Sequence, residues 1–123
     1  MLRLGTVVMG AEDVERAVTF WASVFGYEIV RFRDEEDGFT MVVPPDRMGT
    51  RIALHRSAVP AQPEPRIHVD LVVDDAAEQA AEVDRLVALG ATRVPWSYPP
   101  DPDFVVLADT EGNRFCIVDA SHG

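Results

Sequence analysis

Hydrophobic and polar positions along this chain follow two periods in turn, one typical of strands and one typical of a helix. Residues 3–9 alternate weakly and are rich in valine, which predicts a strand. The apolar positions that follow recur at spacings of three and four, which predicts a helix with one buried face. They are Val14, Ala17, Val18, Trp21 and Phe25. Asp13 suits the N-cap of this helix, and Gly26 suits the left-handed residue that ends it.

Three further short apolar runs complete the first half of the chain. They lie at 27–32, 39–43 and 51–56, and each predicts a strand. Turn residues separate the runs at 34–38 (DEEDG) and 44–49 (PPDRMG). The first half is therefore expected to run strand, helix, strand, strand, strand.

The second half of the chain repeats this order of elements. When the two halves are aligned, Thr6 corresponds to His68 and Asp13 to Asp75, both at an offset of 62 residues. Asp75 and Glu78 resemble a capping box at the start of a second helix, which Gly90 ends. Three predicted strands follow, at 92–94, 104–108 and 114–120.

The repeat predicts two modules joined by a Pro-rich linker. We expect the first module at residues 1–58, the linker at 59–65 and the second module at 66–123, together forming one domain. A module of about 60 residues is too small to bury a stable core alone, so the two should pack together or against a partner chain. The expected fold is α+β. Paired βαβββ modules form a curved mixed sheet around a concave cavity, with the helices on the outer face.

Composition and charge exclude several classes of function. The net charge of −10 repels phosphate backbones, so nucleic acid is not an expected partner. No apolar run approaches the roughly 20 residues of a membrane span, and the first residues lack the features of a signal peptide, so a cytoplasmic location is expected. Cys116 is the only cysteine, which rules out an internal disulfide and a Cys-rich zinc site.

Four phrases of the sequence together resemble the vicinal oxygen chelate superfamily, also called the glyoxalase/bleomycin-resistance family, and in particular its small glyoxalase-like domain members. The phrases are VERAVTFWASVFGYEIV, IHVDLVVDD, LVALGATRV and ADTEGNRFCIVDA. The resemblance implies the paired-module fold. It does not imply one activity, because the superfamily includes metal-dependent isomerases, epimerases, dioxygenases and thiol transferases as well as drug-binding proteins without metal.

The resemblance also implies where a metal would bind. In metal-binding members the ligands come from the first and last strands of each module, which here are Thr6, Ala53, His68 and Cys116. The family's usual occupants are His or Gln, then Glu, His and Glu, so only His68 matches. We therefore expect no metal cofactor. If a divalent metal is bound, the ligands would be His68, Cys116 and His55, with the cysteine as a thiolate.

Strand alternation predicts which side chains line the ligand cavity. Thr6, Val8, Ala53, His55 and Cys116 are the expected ligand-binding residues of the strands, and Trp96 and Tyr98 could stack on a flat ligand from a Pro-rich loop. The alternative for Cys116 is a small buried hydrophobe, and for Trp96 a plug at the end of the core.

His68 and Asp70 are the candidate catalytic pair. They share a face of one strand about 6–7 Å apart, and a direct contact would give an acid–base group without metal. The alternative is a polar cavity wall that only hydrogen-bonds ligand or water.

The sequence therefore favours a glyoxalase-like protein, expected as a homodimer, that binds or transforms a small organic molecule without metal. One alternative is a metal-dependent lyase or isomerase of the glyoxalase type. Others are a drug-sequestering resistance protein and an interaction module with a collapsed cavity.

Overall fold

The computed structural model describes residues 1–31 and 38–122. The chain divides into two compact units, Met1–Pro60 and Ala61–Gly123. No helix within these described stretches is long and apolar enough to cross a membrane.

The first unit is a four-stranded mixed sheet covered by one helix. Its elements are β1 (Thr6–Ala11), α1 (Val14–Phe25), β2 (Glu28–Arg31), β3 (Thr40–Val43) and β4 (Arg51–Arg56). The strand order is β1-β4-β3-β2, in which β1 and β4 are parallel and the other pairs are antiparallel. A parallel pair needs a long crossover, and α1 with the two middle strands supplies it.

Helix α1 begins and ends where its capping residues predict. The Asp13 carboxylate accepts a hydrogen bond from the Arg16 backbone N–H at 3.1 Å, and Gly26 closes the helix with φ of 68°. The buried stripe packs on β3 and β4, with Trp21 fully buried among neighbouring aromatic rings. This packing leaves the other face of the sheet without a helix.

The second unit has the same plan. Its elements are β5 (Val69–Val73), α2 (Ala76–Ala88), β6 (Thr92–Arg93), β7 (Phe104–Ala108) and β8 (Arg114–Asp119). The strand order is β5-β8-β7-β6, again with the first and last strands parallel. The α+β class and the βαβββ order of both halves are thus confirmed.

Two side chains form hydrogen bonds that connect elements of the second unit. Gln79 Nε2 on α2 donates to the backbone oxygens of Asp103 and Ile117 at 3.0 and 2.9 Å. Between β7 and β8, the buried Asp109 carboxylate accepts from the backbone N–H groups of Glu111 and Asn113, each at 2.9 Å. Hydrogen bonds from outside the strand ladder therefore hold both the turn before β8 and the middle of β8.

The first strand differs from its predicted bounds. The prediction is residues 3–9, and the observed strand starts three residues later because its partner β4 begins at Arg51, opposite Thr6. Residues 1–5 are exposed, and Gly5 O still accepts a hydrogen bond from the Arg51 N–H at 2.9 Å. The predicted turn at 34–38 lies, except for Gly38, outside the described residues, as does the end of the strand predicted at 27–32.

Candidate functional site

The parallel pairing of β5 with β8 brings the candidate pair next to the cysteine. Asp70 lies opposite Cys116 in the register, and Val72 lies opposite Val118. Since side chains alternate along a strand, Phe115 points to the opposite side, where α2 packs. The sequence separates Asp70 from Cys116 by almost the whole module, and only the register shows that they are neighbours.

His68 and Asp70 are in direct contact. His68 Nε2 lies 3.2 Å from Asp70 Oδ1, and the two side chains are 45% and 54% exposed. With Nε2 turned toward the carboxylate, the other ring nitrogen, Nδ1, is left to meet a ligand. The partial exposure of both side chains makes the pair accessible from solvent.

Cys116 is a neutral thiol at physiological pH. The side chain is 7% exposed. Burial raises the pKa of the Cys116 thiol to about 11, and the negative charge of Asp70 and a hydrogen bond to it act in the same direction. Asp70 therefore does not activate the thiol as a nucleophile, because its negative charge disfavours the thiolate.

The same three side chains could hold a metal ion. One ligand atom each from His68, Asp70 and Cys116 lies within 4.8 Å of the others. An imidazole, a carboxylate and a thiol suit a borderline ion such as Zn²⁺, and they do not suit Mg²⁺ or Ca²⁺, which prefer oxygen ligands. An ion would have to displace the thiol proton.

Arg114 lies two residues before Cys116 on the same strand. Its Nη1 donates to the backbone oxygen of Gly112 at 2.7 Å. Its Nε is buried and has no hydrogen-bond partner among the described residues, which is uncommon for a buried donor. Sequence reasoning did not single out this arginine.

The first unit holds four of the predicted ligand-binding residues. Val8 lies opposite Ala53, while His55 lies opposite Gly10. Thr6 is half-buried at the start of β1. Ala53 is fully buried and Val8 is about half exposed, so this face offers little polar chemistry.

The predicted aromatic pair follows β6. The Tyr98 hydroxyl accepts a hydrogen bond from the Val106 N–H at 2.8 Å, and its ring lies 5.4 Å from that of Phe104. Val106 is opposite Cys116 and Phe104 is opposite Val118, so Tyr98 borders the face that carries the histidine pair. Trp96 is half-buried in the same segment.

A cavity of about 560 Å³ opens elsewhere in the first unit, at the start of α1. It contains none of the predicted site residues. Its charged groups compensate one another, and Arg31 is already paired with Glu15. Its charged lining comprises Glu12, Asp13, Glu15, Arg16, Arg31 and Arg56.

The family follows from a family model described as the glyoxalase-like domain, which matches residues 6–118. The chain belongs to the glyoxalase-like domain family. The match spans both βαβββ units and includes His68, Asp70 and Cys116. A search of curated proteins finds no match.

Solved structures of glyoxalase-like proteins share the fold. A glyoxalase-related enzyme from Fulvimarina pelagi is 23% identical, with a TM-score of 0.70 and coverage of 98% of this chain and 90% of that one. Fosfomycin resistance protein FosX from Listeria monocytogenes is 14% identical, with a TM-score of 0.73 and coverage of 96% and 91%. A glyoxalase/bleomycin resistance protein from Albidiferax ferrireducens is 18% identical, with a TM-score of 0.64 and coverage of 94% and 96%. At these identities the likeness concerns the fold alone.

Proposed function

We propose that this glyoxalase-like protein binds a small organic molecule on the helix-free sheet face of its second unit, with His68 and Asp70 as the polar centre. The contact of 3.2 Å between His68 Nε2 and Asp70 Oδ1 carries the proposal. Two titratable groups in contact on an exposed sheet face are typical of a site that meets a ligand rather than of a dry core.

The pair also supports proton transfer. With Asp70 holding Nε2, His68 Nδ1 can accept a proton from a bound molecule and return it to another atom of that molecule. This is the step that a lyase or an isomerase needs. Binding and proton transfer are separate parts of the proposal, because binding needs only a hydrogen bond to Nδ1.

The chemistry of the donor set favours binding without metal. Among the positions that the family resemblance assigns to metal ligands, Ala53 has no donor atom and Thr6 offers only a hydroxyl, which is a weak ligand. The sequence-based expectation of a metal-free site therefore remains our proposal.

Calorimetric binding with matched histidine variants tests the proposal. Chelator-treated protein is screened against aromatic acids, antibiotics and aldehyde–thiol adducts. For a compound that binds, we expect His68→Gln to weaken binding at least about tenfold, the cost of one lost hydrogen bond to a charged group. The control is His122→Gln, because His122 Nε2 also contacts a carboxylate, at 3.1 Å from Asp101 Oδ2. Equal affinity of wild type and His68→Gln would contradict the proposal.

A metal-dependent lyase or isomerase is the second candidate. It is favoured by the three donor atoms within 4.8 Å, which leave a fourth position open for substrate. His68, Asp70 and Cys116 would hold the ion, and the ion would supply Lewis-acid chemistry. Equilibrium dialysis with Zn²⁺, Ni²⁺ and Mn²⁺ tests it, with Cys116→Ser as the matched variant. Occupancy below about a tenth of an equivalent per chain would rule this candidate out.

Assembly and location also remain proposals. We propose a homodimer in the cytoplasm, and its small-molecule ligand as its other partner. The single unpaired cysteine is consistent with a reducing compartment.

A further inference from the structure

The helix-free face of β5 and β8 forms a small array of facing side chains. We call it the β5–β8 face and define it by His68, Asp70, Val72, Arg114, Cys116 and Val118. Asp70 with Cys116 makes one row and Val72 with Val118 makes the next. Rows along a strand are about 6.6 Å apart, and neighbouring strands are about 4.8 Å apart.

Continuing the register one residue before the start of β5 puts His68 beside Arg114. Val69 pairs with Phe115, so one step earlier His68 falls opposite Arg114, on the same side as Asp70 and Cys116. The first unit shows the equivalent pair directly, because Thr6 is opposite Arg51. An imidazole and a guanidinium thus form the polar end of the face.

The Nε–H group of Arg114 has no hydrogen-bond acceptor among the described residues. Its Nε is buried without a partner, and its one hydrogen bond among the described residues joins Nη1 to Gly112 O. A donor that has lost water without gaining a protein acceptor is destabilising. The Nε and Nη2 edge of a guanidinium matches the two oxygens of a carboxylate or a phosphonate.

The opposite end of the face is apolar. Val72 is 65% exposed, and Phe104 lies opposite Val118 on the neighbouring strand β7. The Tyr98 ring, 5.4 Å from that of Phe104, extends this end. Exposed aliphatic and aromatic side chains on one sheet face provide a surface for a flat apolar group.

We infer that the β5–β8 face recognises an aromatic acid, with its carboxylate or phosphonate on Arg114 and its ring toward Val72 and Phe104. This inference names the ligand class of the site and rests on the proposed binding function. The guanidinium turns its Nε edge toward the ligand on binding and gives up its bond to Gly112.

Because the overall charge is negative, any preference for an acid over a neutral ligand has to come from the site itself. At a net charge of −10 the protein repels anions at long range, so the surface as a whole does not concentrate an acid. Affinity for an anion therefore has to arise from direct contact with a cation. This separates a specific site from non-specific electrostatic attraction.

Calorimetry with matched ligands and matched arginine variants tests the inference on the full-length chain. The probes are phenylacetate, phenylphosphonate and the neutral isostere phenylacetamide. The variants are Arg114→Gln and Arg114→Lys. The control is Arg93→Gln, which removes the same charge from an exposed arginine of the same unit, whose nearest carboxylate is 3.9 Å away on Asp84.

We expect at least one of the two acids to bind wild type more tightly than phenylacetamide does. Arg114→Gln should weaken that acid at least about tenfold, as expected for loss of a bidentate ion pair. Arg114→Lys should recover only part of the loss, because an ammonium lacks the planar fork. Arg93→Gln should bind within about twofold of wild type.

A second measurement follows ligand binding in the wild type itself and uses only the conservative variant Arg114→Lys, for the assignment. The Nε–H resonance of Arg114 in an ¹⁵N spectrum, assigned by its absence from Arg114→Lys, should shift on addition of the acid and not of the amide. The inference is overturned if neither acid binds wild type up to about 10 mM, a concentration that detects even weak complexes. It is also overturned if the amide binds as tightly as the acids, if Arg114→Gln binds like wild type, or if the Nε–H resonance is unchanged. Binding that depends on His68 but not on Arg114 would overturn this inference and leave the proposed function intact.

Discussion

Asp70 is the residue whose contacts decide the chemistry of the site. Its carboxylate lies 3.2 Å from His68 Nε2 and is hydrogen-bonded to the Cys116 thiol. The first contact orients a base and the second keeps a thiol protonated. One carboxylate therefore favours acid–base chemistry over thiolate chemistry.

The raised pKa of Cys116 predicts a loss of stability in alkaline solution. The thiol has a pKa of about 11 in the folded chain and about 9 in the unfolded chain. Its contribution to the free energy of unfolding is therefore fully present below pH 9. As the pH rises from 9 through 11, about 2–3 kcal/mol of that contribution should be lost. Urea unfolding of wild type and Cys116→Ser at pH 8 and pH 11 measures it. The serine variant should lose less stability over this range, and parallel losses would contradict the prediction.

Removing the Asp70 charge should make the thiol more reactive. Burial is the first cause of the raised pKa and Asp70 the second, so Asp70→Asn should lower the pKa of Cys116 but leave it above the usual value. Because Cys116 is the only cysteine, its reaction with a disulfide reagent at pH 9 reports on this thiol alone. We expect the variant to react several-fold faster than wild type, as the thiolate fraction requires. Asp84→Asn, a change of the same type at an exposed position of α2, is the control.

Several residues of the site could be predicted from sequence, and the reason is local geometry. His68 lies directly before β5 and two residues before Asp70, so the period of a strand sufficed to predict that the two side chains share a face. The contact of Asp70 with Cys116 and the place of Arg114 depend on the register of a parallel pair, which the sequence does not state. The internal repeat held a usable signal, since Thr6 and His68 are 62 apart and Arg51 and Arg114 are 63 apart.

At the scale of secondary structure, the elements with local stop and start signals were predicted best. The N-caps Asp13 and Asp75 begin α1 and α2 as expected, and Gly26 ends α1. The start of β1 was wrong by three residues, because the partner strand and not the local pattern decides where pairing begins. Bounds of strands therefore depend on contacts that are distant in sequence.

The first strand has no room for a side chain at Gly10. A Cβ there would lie 2.8 Å from Ser57 Cβ, just after β4. Gly10→Ala should destabilise the protein by about 1–3 kcal/mol, the usual cost of overpacking. Gly5→Ala is the control, because its Cβ would meet only Arg51 Nη2, at 3.8 Å.

Thermal unfolding of the single and double variants checks this contact. Combining Gly10→Ala with Ser57→Gly should recover part of the lost stability, because the second change removes the clashing carbon. If the stability change of the double variant equals the sum of the changes in the two single variants, the two residues are not coupled.

At the scale of the whole molecule, each unit is a small βαβββ module with the same strand order. Neither is large enough to bury an extensive core alone. The proposed linker at 59–65 would join two such modules within one chain, and the proposed homodimer would bring together the modules of two chains. The family match over residues 6–118 spans the two units and the linker.

The proposed homodimer predicts a single species of twice the chain mass in solution. Light scattering coupled to size-exclusion chromatography measures it directly. We expect the same mass across a tenfold range of protein concentration, because an obligate interface does not dissociate in that range. A monomer mass at all concentrations would contradict the prediction.

The parallel pairing of β5 with β8 joins residues that are 46 positions apart, as with Val69 and Phe115. Closing a loop of that length costs more entropy than forming the β7–β8 hairpin, so local pairing should precede it during folding. The β5–β8 face then exists only after the slowest pairing of the unit has formed. A bound ligand should consequently slow hydrogen exchange throughout the second unit, including α2 on the opposite side of the sheet, because no partly folded form that lacks this pairing can retain the ligand.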